Sequence, residues 1–375
     1  MSPIAQHTSP IRRPLNSLST PFLLIVVMVV ASVLASTLGD ASLRRIVVGA
    51  LVNMIAVIGI YVFIGLTGVF SFGQLAFMAI GAYATAVLTV PIASKSALFD
   101  GMPEWLVQAQ LPGILAVLVG AVLAAAVALV LSIPLARMND ITASLGTLAI
   151  LVAVYVVAGN WSAVTNGSRG ITAIPTSTTL VVALVVGGVV IVAVWLFQES
   201  PIGLKIRATR EDAVAARAIG INVGVSRGIA FVASGFVVGI AGGLYAQLQG
   251  SLSPDAFYLG PTFILIAMLV VGGMSSLTGA VVGTLVITAL RRSLQWIEGG
   301  IERPGLTEVG LGIALLAILA FRRRGITDGR ELSWGSLVWF FGAGGPLRRS
   351  RRHSEKTTAQ SVGEPSSDTE KVGAS

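Results

Sequence analysis

The chain has 375 residues, 54% of them hydrophobic and only 11% charged, with a mean hydropathy of +0.87. That balance excludes a soluble globular domain, and the absence of cysteine excludes disulfides, thiolate chemistry and cysteine-based metal sites. The formal charge of +8 needs no nucleic-acid partner, because the basic residues gather in loops between apolar runs and in the tail.

Backbone groups find no water inside hydrocarbon, so apolar runs at membrane depth form helices or closed barrels. The runs here are continuous rather than alternating, which selects helices. They predict an all-α integral membrane protein with about ten transmembrane helices, some short or broken, each needing roughly 20 residues. In chain order these fall at 21–39, 46–66, 73–91, 111–135, 140–158, 179–197, 226–248, 262–275, 278–291 and 306–321. The expected organisation is a cytoplasmic segment over 1–20, a polytopic membrane domain over 21–325, and a largely disordered cytoplasmic tail over 326–375.

Arg12 and Arg13 precede the first run as they would in a signal peptide. At about 18 residues, the run is longer than a usual signal-peptide core, so a retained first helix is expected. Two glycine-rich bends interrupt later runs: one over 65–74, with Gly65, Gly68, Ser71 and Gly73, the other over 272–279, with Gly272, Gly273, Ser275 and Gly279. Broken helices at membrane depth line cavities; the competing reading is a tight hairpin at the membrane surface. Gly235-x-x-x-Gly239 and Gly279-x-x-x-Gly283 read as close packing of helices within the chain.

Between the sixth and seventh spans lies a charged island, 200–222, with Lys205, Arg207, Arg210, Glu211, Asp212 and Arg217. It predicts a short helix over 210–219, with Glu211 and Asp212 in its first turn, Arg217 in its last and Gly220 as C-terminal cap. Val214, Ala218 and Ile221 recur at helical spacing and give that helix a small apolar stripe, suited to a groove on a partner. A solvated, well-capped loop is the alternative. Lys and Arg near the span ends favour both termini on the cytoplasmic side, although the pairs Arg44–Arg45 and Arg291–Arg292 oppose it mildly. In the tail, Trp334, Trp339, Phe340 and Phe341 stand beside Arg348, Arg349, Arg351 and Arg352. That mixture suits the anionic inner face of a membrane.

Ten packed helices point to a transporter or channel. None of the expected spans carries a charge near its middle, so proton coupling lacks its usual residues. No G-x-x-x-x-G-K-[ST] loop occurs, and no catalytic set is visible; the chain is not expected to be an enzyme or to bind a cofactor or metal itself. If it pumps, the energy arrives through contact with another protein.

Four stretches, taken together, resemble a known family. The segment from Arg210 through Asn222 resembles the cytoplasmic coupling loop of permeases from bacterial ABC importers, closest to the LivM-like permease subunits of branched-chain amino acid importers. Gly65-x-x-Gly68-x-x-Ser71-x-Gly73-x-x-Ala76-Phe77-x-x-x-Gly81-Ala82-Tyr83 is similar to that family's N-terminal signature. The stretch from Thr165 to Pro175 is similar to its glycine-rich external loop, and that from Met268 to Gly279 to its late signature. The resemblance covers about 46–321 in the family's order. Val69 and Gln74 depart from it, standing where relatives often have Gln and His.

The resemblance implies the membrane permease subunit of an ABC importer for branched-chain or related amino acids, in a bacterial cell membrane. A second permease subunit, two ATP-binding subunits and an extracytoplasmic binding protein would complete it, with ATP bound by the partners. Arg210, Glu211, Asp212, Ala216 and Gly220 would couple to the ATPase. Ser71, Phe72, Gln74, Phe77, Tyr83, Ser275 and Thr278, drawn from the two bends, would line the substrate path; ordinary packing is the alternative for each. Related permeases also carry urea or other amides. A stand-alone channel or ion-coupled carrier, or a structural scaffold, are the rival classes.

Overall fold

Hydropathy of this strength folds as helices wherever the backbone must satisfy itself, and the described residues of the computed structural model are predominantly helical, with no β-strand among them. It describes residues 13–38, 41–99, 101–301, 305–321 and 325–327. Residues 21–331 form one compact unit; 1–20 and 332–375 fall in another, of which only the first turns of α1 are described. The expectations for the N-terminal twelve residues and for the tail beyond 327 lie outside the described residues.

Fifteen α-helices run through the described residues: α1 (Arg13–Leu38), α2 (Ala41–Thr67), α3 (Gln74–Thr89), α4 (Ile92–Leu98), α5 (Glu104–Gln108), α6 (Gly113–Leu135), α7 (Asp140–Asn160), α8 (Ser162–Thr165), α9 (Leu180–Glu199), α10 (Pro201–Glu211), α11 (Ala213–Ala218), α12 (Val223–Gln249), α13 (Leu259–Gly272), α14 (Leu277–Ile301) and α15 (Leu306–Phe321). Seven stretches are long and apolar enough to cross a membrane, in α2, α6, α7, α9 and α12, in 254–272 through α13, and in α14. The apolar parts of α1, α3 and α15 are shorter, so of the about ten transmembrane helices expected, some short or broken, seven among the described residues are long and apolar enough to cross. α14 also runs past the expected end at 291, carrying exposed Arg291 and Arg292 within the helix rather than in a loop.

α2 and α12 form the centre. Of their apolar windows 78% and 67% is buried, against 22% in α7 and 28% in α9, whose apolar faces look outward. α12 packs against α2, α3 and α6. Small residues make that contact possible: a Cβ on Gly81 would lie 2.3 Å from the Gly239 carbonyl, and one on Gly242 only 2.0 Å from that of Met78. α13 and α14 form a hairpin on the same principle, with Gly272 against Gly279 and Gly283 against the Met268 carbonyl. Both G-x-x-x-G motifs thus serve packing inside the chain, as their sequence predicts.

The helix ends sort into two rims. At one, the Leu111 amide donates to Leu88 at 2.9 Å, Ile171 and Leu252 exchange backbone hydrogen bonds at 3.0 and 2.8 Å, and Tyr155 donates to Asp255 at 2.9 Å. Buried Lys95 donates to the carbonyls of Leu106 and Ala109 at 3.1 and 2.5 Å, closing the excursion through α4 and α5. At the other rim lie both glycine-rich bends, the α6–α7 turn and the charged island.

Candidate coupling joint and transport path

The charged island folds as two helices rather than one. Ser200 caps α10, accepting from the Gly203 amide at 3.1 Å, and α10 ends at Glu211. Asp212 then leaves the helical region (φ −155°, ψ 108°), and its carboxylate accepts from Val214 and Ala215 at 2.7 and 3.0 Å as the N-cap of α11. This corrects the expected helix over 210–219: Arg210 and Glu211 close α10, and Asp212 is a cap rather than a first-turn residue. The Asp212 carboxyl is held below its usual range, chiefly by the Ala215 amide and then by that of Val214.

Gly220 caps α11 as its sequence predicts. It adopts φ +82°, its amide donates to Arg217 at 3.0 Å, and the Ile221 amide donates to Ala216 at 3.0 Å. Val214 and Ile219 are each 74% exposed, whereas Ala216 is buried and supports α11 from beneath. Glu211, Asp212 and Gly220 are exposed.

Arg210 turns inward. Its guanidinium donates to the Gly65 carbonyl at 2.5 Å, and its stem lies over Gly68, where a Cβ would come within 3.0 Å of Cγ. Gly65 in turn sits against the second bend, its Cβ position 2.7 Å from the Met274 carbonyl. One side chain therefore ties the island to the first bend at the point where the first bend meets the second. Two further clasps hold this rim. Tyr61 on α2 donates to Gln198 at 2.8 Å, and α7 holds the first bend through Ser144, donating to Phe70 at 2.8 Å, and Thr147, accepting from the Phe72 amide at 3.2 Å.

The second bend carries a strap. The amides of Ile326 and Thr327 donate to Val271 and Gly272 at 2.8 and 3.1 Å, and the Thr327 hydroxyl lies 3.1 Å from that of Ser276. Neither Arg210's reach nor this strap is announced by a motif.

The seven path residues divide. Ser71, Gln74, Phe77 and Thr278 are buried inside the chain. Gln74 bridges Ser71 and Ser234, at 3.4 and 3.0 Å, and Phe77 meets Phe231 edge-on at 5.1 Å. Phe72 is half-buried against Phe263, and Ser275 is exposed at the second bend. Tyr83 lies toward the opposite rim, lining an apolar cavity of about 600 Å³ with Trp105 and Trp161. Its buried hydroxyl has no partner there.

The family model described as the branched-chain amino acid transport system / permease component matches residues 42–319. The chain belongs to that family. It is a multi-pass membrane protein of the permease type. The branched-chain amino acid permease LivM of Escherichia coli is 25% identical over 279 residues, 65% of this chain and 62% of the relative. The permease thus spans less than two thirds of that relative's length. The xylose permease XylH of E. coli is 28% identical over 40% of the chain and 36% of its own length, and the nucleoside permease NupC of Lactococcus lactis 31% over 36% and 41%. No solved structure matches the permease.

Proposed function

We propose that this chain is the membrane subunit of an ABC importer that moves branched-chain or related amino acids into a bacterial cell, driven by ATP hydrolysed on partner subunits. The observation that carries the reading is the Arg210 contact: at the end of α10, next to the exposed six-residue helix α11, one guanidinium bonds the first bend at Gly65, where that bend meets the second. A push on α11 passes through the single extended residue Asp212 to Arg210, and from there to Gly65 and Met274. Arg210 acts as the tie, Asp212 and Gly220 shape α11, Ala216 seats it, and Glu211 with the exposed face meets the ATPase.

Ten crossings are part of this reading, with α1, α3 and α15 as the short ones. The sorting of helix ends into two rims supports it, because successive crossings then alternate. Arg137, Lys205, Arg207, Arg210, Arg217 and Arg227 share the rim of the charged island, which favours that rim as cytoplasmic. A second permease subunit, two ATP-binding subunits and a binding protein complete the assembly. The outward apolar faces of α7 and α9 suit lipid or the second permease.

Phe72, Ser275 and Tyr83 are the path residues that this geometry favours. The wider coverage of LivM than of the xylose and nucleoside permeases favours amino acids as cargo. The test is uptake into proteoliposomes holding the assembled complex, with leucine, valine, urea, xylose and uridine compared. ATP-dependent leucine uptake is expected. Flux through this chain alone without ATP would overturn the energetics, and uptake of xylose or uridine with none of leucine would overturn the cargo.

A further inference from the structure

Beside α11 a cleft of about 670 Å³ opens between the α6–α7 turn and the α11–α12 turn. Arg137, Arg217 and Arg227 line it, with Asp140 as the one carboxylate. Arg227 pairs with Asp140 at 2.7 Å, and its buried Nε has no partner. Arg137 and Arg217 are exposed, and their side chains make no hydrogen bond or ion pair with any described residue. Three guanidinium groups thus face one carboxylate, and ten donor N–H groups on Arg137 and Arg217 stay uncommitted, five to each side chain by its chemistry.

Such a cleft has the chemistry of an anion receptor: guanidinium forks match carboxylate geometry and hold it in two parallel hydrogen bonds. We propose that it receives acidic side chains of the ATP-binding subunit, an inference that rests on the reading of this chain as an importer permease. Two features select a protein over the anionic face of a bilayer. Val214 on α11 and Ile219 just after it, each 74% exposed, adjoin the cleft-lining Ala213 and Gly220 and supply apolar area of the kind that surrounds arginine anchors in protein interfaces. The same rim exposes Glu199, Glu211 and Asp212 beside the arginines, and a surface of one charge repels such a mixture where a patterned protein matches it.

The full chain is placed in nanodiscs of neutral phospholipid, and the ATP-binding subunits expressed together with it are titrated onto it at low and high salt. Arg137→Glu with Arg217→Glu is the test variant; both side chains are exposed, and an unchanged thermal midpoint confirms folding. Arg44→Glu, on an exposed arginine outside this rim, is the control. The double variant is expected to bind about a hundred-fold more weakly, with a flatter salt dependence, and the control to match the wild type. Equal binding and an equal salt slope in the double variant overturn the cleft as a receptor and leave the importer reading intact. Failure of the wild type to bind any ATP-binding subunit overturns the importer reading itself. A defect seen only when the discs contain anionic phospholipid assigns the cleft to lipid headgroups and likewise overturns the proposal.

Discussion

Arg210 carries one of the few long-range ties to the charged island. Replacing it with Ala removes a charge-assisted hydrogen bond worth about 1.5–3 kcal/mol where it is well buried, and less at this half-buried position. Arg210→Ala is expected to leave the complex assembled and hydrolysing ATP, while uptake falls about tenfold; undiminished uptake would remove Arg210 from the coupling route. Nothing in the sequence around Arg210 signals this contact. Its partner is a backbone carbonyl 145 residues away, and a carbonyl leaves no side-chain signature. Asp212 is the opposite case, because an acid two and three residues before its amide partners is a local N-cap pattern. Its depressed pKa fixes the sign of its pH dependence. The cap stabilises α11 above the unfolded carboxylate pKa of about 3.9 and is lost as pH falls through the lower folded value. Hydrogen exchange at Val214 and Ala215 should therefore show several-fold less protection at pH 2.5 than at pH 6, and Asp212→Ala should lack it at both.

At the scale of elements, glycine contacts decide which helices can meet. A Cβ on Gly283 would lie 1.9 Å from the Met268 carbonyl and 2.7 Å from the Gly272 amide, and backbone on both sides leaves nowhere to yield. Gly283→Val is expected to cost about 3 kcal/mol and to lower the thermal midpoint by several degrees. Gly299→Val, on the same helix with nothing within 4 Å, should leave the midpoint nearly unchanged. This level of structure was the most legible in the sequence. Glycine spacing is local, and both G-x-x-x-G motifs and the Gly220 cap fall where it points. Helix breaks were less legible: the helix expected over 210–219 runs across the break between α10 and α11, because Asp212 is as acceptable in a first turn as at a cap. The outer excursion through α4 and α5 was not anticipated, since its anchor is a buried lysine donating to two carbonyls.

For the whole molecule, the succession of continuous apolar runs conveyed the all-helical class, while helix lengths did not follow. α3 has 16 residues yet reaches from the first bend to the opposite rim, and α14 extends through two arginines. The absence of cysteine makes the proposed orientation directly measurable, because single introduced cysteines have no background. Ala215→Cys is expected to react with a membrane-impermeant maleimide only in inside-out vesicles, and Ser168→Cys only in right-side-out ones. Both reacting from one side would overturn the two-rim topology.

The strap over the second bend sets where the chain can be cut. The amides of Ile326 and Thr327 donate to Val271 and Gly272, so the second bend borrows backbone bonds from beyond the end of α15. A reporter fused directly after residue 327 keeps those donors in place. A fusion that replaces 325–327 strips two acceptors beside the joint, at about 1–3 kcal/mol for each one left unsatisfied, and loosens the very bend that meets Gly65. For anyone engineering this permease, the end of α15 is therefore the wrong landmark, and residues 325–327 belong with the second bend.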